Sequence, residues 1–84
     1  MTKKAMNLKD KHFNRINNHL SFYENTKHDF EWTRDYLNTI HNDFDNMVGG
    51  MYIYGLLSEK DYDELHAVAF GMYQEALERL YRAY

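Results

Sequence analysis

The sequence has no cysteine, which excludes disulfides and thiolate-bound metal. It also has no proline and therefore no proline-rich linker, and neither an internal repeat nor a low-complexity tract divides it. No stretch approaches the ~18 apolar residues of a membrane span. The N-terminus, Met1-Thr2-Lys3-Lys4, runs into polar residues rather than the apolar core of a secretory signal. These absences predict a soluble, cytoplasmic protein without membrane contact. Serine is confined to Ser21 and Ser58, and Gly49-Gly50 lacks the Gly-Lys-Ser/Thr context of a phosphate loop. The expectation is a protein without enzymatic activity and without a cofactor.

What the chain has in quantity is aromatic surface. Eight Tyr, five Phe and Trp32 in 84 residues let a small single domain bury more area per residue than its length suggests. The strongest periodicity lies in the middle. Phe30, Thr33, Leu37, Ile40, Phe44, Met47, Met51 and Tyr54 alternate spacings of three and four, the seam of a long helix buried along one side. This predicts a second helix over 27–54, capped by Thr26. Gly49-Gly50 interrupts it at roughly 1 kcal/mol per glycine, so the pair is a kink, a hinge or a break.

Upstream, residues 1–6 read as a loose basic end. Asn7 is the expected N-cap of a first helix over 8–24, with Phe13, Ile16, Leu20 and Tyr23 as its buried stripe. Downstream, Gly55-Leu56-Leu57-Ser58-Glu59-Lys60-Asp61-Tyr62 carries the clearest local signal. Gly55 suits the left-handed position that ends helix two, Ser58 caps helix three, and Leu57 staples onto Tyr62. Helix three, over 59–82, shows a seam of Tyr62, Leu65, Ala69, Met72, Ala76 and Leu80. Beside it runs a second apolar row of His66, Phe70, Tyr73, Leu77, Tyr81 and Tyr84. Gly71, between the rows, suits a close helix crossing. The predicted fold class is all-α, a three-helix arrangement in one domain spanning 1–84.

The net charge of −3 conceals a division. Residues 1–27 hold six basic side chains against Asp10 and Glu24, whereas residues 28–64 hold nine acids against Arg34 and Lys60. Direct nucleic-acid binding is not expected, because helix three opens on Glu59, Asp61, Asp63 and Glu64, which repel phosphate. Nor is a metal site: Asp63 and His66 make only one near match to the Glu-x-x-His ligand pattern of di-metal bundles. Asp43-Phe44-Asp45-Asn46 also lacks the glycine and glutamate of a calcium loop. Instead, Glu31, Asp35, Asn38, Asn42 and Asp45 recur every three or four residues as an acidic polar stripe on helix two, and Asp61, Asp63 and Glu64 extend it. Such a stripe suits the basic channel of a nucleic-acid enzyme. The aromatic candidates for anchoring a partner are Phe70, Tyr73, Tyr81 and Tyr84, with Trp32, Tyr36 and Tyr52 beside them.

The run Gly55-Leu56-Leu57-Ser58-Glu59-Lys60-Asp61-Tyr62-Asp63-Glu64-Leu65 resembles a turn of small helical proteins from phages and mobile elements of low-GC Gram-positive bacteria. The Lys-, Asn-, Asp- and Tyr-rich composition is similar too. The resemblance implies a stand-alone protein that binds and modulates a host protein, anti-CRISPR inhibitors being one such class; it carries over no residue roles. The functional expectation is thus a protein-binding module, in its sharpest form an inhibitor of a host nuclease. The alternative is a structural or regulatory homodimer in which the second row of helix three packs on its own copy.

Overall fold

A computed structural model describes all 84 residues as three helices in sequence: α1 (Lys3–Thr26), α2 (Phe30–Ile53) and α3 (Glu59–Ala83). There is no strand. The helices lie side by side in a body 41 Å long and 18 × 15 Å in section.

α1 begins five residues before the expected start, and the N-terminal end is not loose. The Thr2 hydroxyl accepts from Ala5 N at 3.2 Å and caps the first turn. That hydroxyl also donates to Asp61 Oδ2 at 2.6 Å, and Thr2 N lies 3.3 Å from Asp61 Oδ1. The start of α1 is therefore tied to the first turn of α3, and Asn7 is an ordinary exposed helical residue rather than the cap.

The α1–α2 connection is Lys27–Asp29. Lys27 adopts a left-handed φ of 53° and its N–H closes α1 on Tyr23 O at 2.7 Å. The cap of α2 is Asp29, not Thr26: its side chain accepts from Trp32 N at 3.0 Å. Asp29 itself sits at φ 55°, a region aspartate tolerates better than most side chains. Thr26 instead ends α1, its hydroxyl donating back to Phe22 O at 2.9 Å.

α2 runs unbroken through Gly49-Gly50. It ends as expected at Gly55, φ 75°, where Leu56 N bonds Met51 O and Gly55 N bonds Tyr52 O. That pair of bonds is a Schellman motif. Ser58 Oγ then accepts from Asp61 N at 3.1 Å to start α3, and Leu57 is buried with Tyr62 packed against the same cluster.

The core falls into two clusters along the long axis. Ile16, Leu20, Tyr23, Leu37, Ile40, Ala76 and Leu80 form one; Ala5, Phe44, Val48, Leu57, Leu65 and Ala69 form the other. The seams are corrected in three places. On α2, Met47 and Tyr54 are exposed and Val48 is buried instead. A strict three-four alternation drifts by about 20° per heptad on a straight helix, so by the third heptad position 48 has rotated onto the core face. On α1, Phe13 is exposed, and His12 takes its place inside, stacked on Phe44 with ring centroids 4.0 Å apart. Gly71 is no close crossing, since a Cβ built there meets nothing within 4 Å.

Two polar ties join α1 to α3. Arg79 on α3 grips Glu24 of α1 with Nε and NH2 at 2.9 and 2.7 Å, and reaches Asn17 Oδ1 at 2.7 Å and Ser21 Oγ at 3.3 Å. The bidentate bond from Arg79 holds the Glu24 carboxyl below the usual range. The other tie is Thr2–Asp61, which likewise lowers the Asp61 carboxyl.

Candidate functional site

Cross-helix contacts arrange the α2–α3 face in three levels. At one end, where α2 begins and α3 finishes, Phe30 meets Tyr81 edge-on at 5.3 Å and Tyr84 at 4.3 Å. Arg34 lies over the Phe30 ring at 6.0 Å, and its guanidinium is held above its ordinary range first by the Tyr81 hydroxyl and then by Asp35. Tyr81 is 54% and Tyr84 79% exposed. Glu31 and Asp35, both exposed, share the first two turns of α2 with Phe30 and Arg34. Of the residues expected to meet a partner, Tyr81 and Tyr84 are therefore gathered on Phe30 into one aromatic cap, while Asp35 is ion-paired with Arg34 at 3.3 Å and Glu31 is exposed on the same two turns of α2.

At mid-height the polar stripe turns inward. His41 stacks on Tyr73 at 4.8 Å. Its Nε2 is 3.3 Å from Asp45 Oδ2, while His66 Nδ1 approaches Asp45 Oδ1 at 3.4 Å. Asp45 and Tyr73 are half-buried members of this cross-helix contact, whereas Asn38 and Asn42 remain exposed on the outer side of α2. Phe70 stands apart on the outer face of α3, 54% exposed. At the far end, Tyr52 and Tyr62 stack at 4.8 Å.

The remaining acids are separated from the cap by the length of the molecule. Asp61 is buried, both of its oxygens facing Thr2, so it is corrected from a partner-facing residue to a tie between helices. Glu64 is half-buried and lies 3.4 Å from the N-terminal ammonium group and 4.0 Å from Lys60. Asp63 is exposed. The expected continuous stripe is thus two surfaces, each partly paired: Glu31 beside the Arg34–Asp35 pair near the aromatic cap, and Asp63 beside the paired Glu64 near the N-terminus.

Sequence reasoning missed two members of the cap. Phe30 falls on the helical seam and reads as core; it is half-buried and forms the centre of the cap. Arg34 carries the only sequence signal available, a cation inside an acidic segment. A further aromatic group lies on the α1–α2 face, where Trp32 stacks on Tyr36 at 5.2 Å and His19 packs against both rings.

No group of three or more His, Asp or Glu side chains is arranged to hold a metal ion. No helix is long and apolar enough to cross a membrane. Comparison of the chain with protein-family models, curated proteins and solved structures returns no match.

Proposed function

We propose that this chain is a non-enzymatic protein-binding module whose partner meets the aromatic cap of Phe30, Tyr81 and Tyr84. The observation that carries the reading is the exposure of Tyr81 and Tyr84 side by side on the ring of Phe30 at one end of the bundle. Large aromatic side chains dominate interface hot spots. Glu31, exposed beside the Arg34–Asp35 ion pair, offers a basic partner an unpaired carboxylate near the cap. In its sharpest form the module is a phage or mobile-element inhibitor that covers the basic nucleic-acid channel of a host nuclease.

The test is affinity capture with the intact chain and with Tyr81→Ala/Tyr84→Ala, followed by assay of any captured protein for nuclease activity. A stoichiometric partner, lost with the double variant and inhibited by the wild-type chain, is the expected result. Absence of such a partner, or its equal retention by the variant, overturns the reading.

A second reading is a homodimer, favoured by the exposure of Ile53, Tyr54 and Leu56 at the α2–α3 turn and of Phe70 on α3. Light scattering on a size-exclusion column across a wide concentration range separates the two. A dimer that persists on dilution supports self-association, and a monomer leaves these surfaces for another protein.

A further inference from the structure

Between the middle of α1 and the second half of α2 the packing leaves a cleft of about 340 Å³, the volume of a small organic ligand. Its lining divides by chemistry. Leu8 and Met47 stand at the end nearer the N-terminus, with Phe44 on the α2 side. Lys11 and Arg15, one turn apart on α1, supply positive charge, and Asp43 faces them from α2. Arg15 is held loosely: its NH2 is 3.9 Å from Asp43 and 3.4 Å from the Tyr36 hydroxyl.

Beneath these side chains lies His12. It is 5% exposed, lies flat on the Phe44 ring, and its Nε2 is shut away from solvent without a hydrogen-bond partner. Buried polar atoms almost always have partners, so this ring makes the floor of the cleft polar and desolvated, although the nitrogen itself does not open onto it. With Asp43 retained, Lys11 and Arg15 leave the cleft one positive charge in excess. A monoanion neutralises that excess, whereas a doubly charged phosphate would meet Asp43. The apolar end accommodates a ring or a short alkyl chain.

We propose that this cleft binds a small amphipathic carboxylate, its apolar body against Leu8, Phe44 and Met47 and its carboxylate at Lys11 and Arg15. The carboxylate competes with Asp43 for Arg15, and the two anions repel each other across the cleft. The site lies on the α1–α2 face and is independent of the aromatic cap.

The test is a titration of the full chain with 4-phenylbutyrate, followed by ¹H–¹⁵N NMR, alongside the uncharged 4-phenylbutyramide. Saturable shifts at His12, Arg15 and Met47 are expected, with the amide at least about tenfold weaker. Arg15→Gln should weaken the acid about fivefold or more, and Asp43→Asn should tighten it about threefold. Arg15 and Asp43 are exposed, so both variants keep the fold. No saturable shift up to millimolar acid, equal affinity for acid and amide, or looser binding in Asp43→Asn overturns the proposal. Shifts centred on the α1–α3 groove beside Phe13 and Met72 do so as well.

Discussion

Lowering the pH from 7 to 5 should cost this fold about 2 kcal/mol through His12 alone. The ring is held down from 6.5 to about 4, first by burial, then by electrostatic repulsion from the neighbouring His41 and Arg15, with Asp45 acting in the opposite direction. In the unfolded chain the same ring titrates near its ordinary value. Between those two values the unfolded state therefore carries more bound proton than the folded state, and folding weakens as acid is added. The contribution is complete above pH 6.5 and falls as pH drops through the interval; at one pKa unit per ~1.4 kcal/mol the whole loss by pH 4 is about 3 kcal/mol. That is a large share of the roughly 5–15 kcal/mol available to a small domain. Urea unfolding followed by far-ultraviolet circular dichroism at pH 7, 6 and 5 measures it. His12→Leu removes the titrating group and keeps an apolar contact with Phe44, so its stability should be flat across the same range. A wild-type chain whose stability does not change between pH 7 and 5 would refute the burial argument. An equal slope in His12→Leu would assign the effect to other groups.

Gly49→Ala and Gly50→Ala should each raise stability by about 1 kcal/mol, because both glycines are helical and an added Cβ meets nothing within 4 Å. Thermal melting checks this, and a loss of stability would mean that α2 needs a glycine there. Arg79→Lys should lose about 1 kcal/mol in the same assay despite keeping the charge, because a lysine cannot span both Glu24 oxygens and also reach Asn17. Asp61→Asn should leave the α3 core in place but speed hydrogen exchange at Ala5 and Met6, whose amides are bonded to Thr2. Unchanged exchange there would show that the tie to Asp61 does not hold the start of α1.

The parts of the fold legible in the sequence are those decided by neighbours within a turn or two. Gly55 and Ser58 announce the α2–α3 turn because their backbone conformations and caps depend on adjacent residues alone. Helix positions follow from apolar periodicity, and the seam of α3 is largely buried as read. What was not legible depends on partners far along the chain. Thr2 becomes a cap because Asp61, 59 residues away, orients its hydroxyl. His12 looks like a polar surface residue until Phe44 provides a ring for it to lie on. The second aromatic row of α3 is sorted by the crossing of the helices: Tyr73 is drawn against His41, while Phe70, Tyr81 and Tyr84 stay exposed. The acidic stripe divides for the same reason, since Asp45 and Asp61 find partners across helices and Glu31 and Asp35 stay on the surface.

The most direct measurement is the affinity of the captured partner for the wild-type chain, for Tyr81→Ala/Tyr84→Ala and for Phe13→Ala, by calorimetry. Truncating two aromatic anchors at about 2 kcal/mol each predicts a loss of roughly a thousandfold for the cap variant. Phe13, exposed on the α1–α3 side, should bind as the wild type does. Equal affinity in all three chains, or a larger loss in Phe13→Ala, would contradict the assignment of the cap as the binding surface.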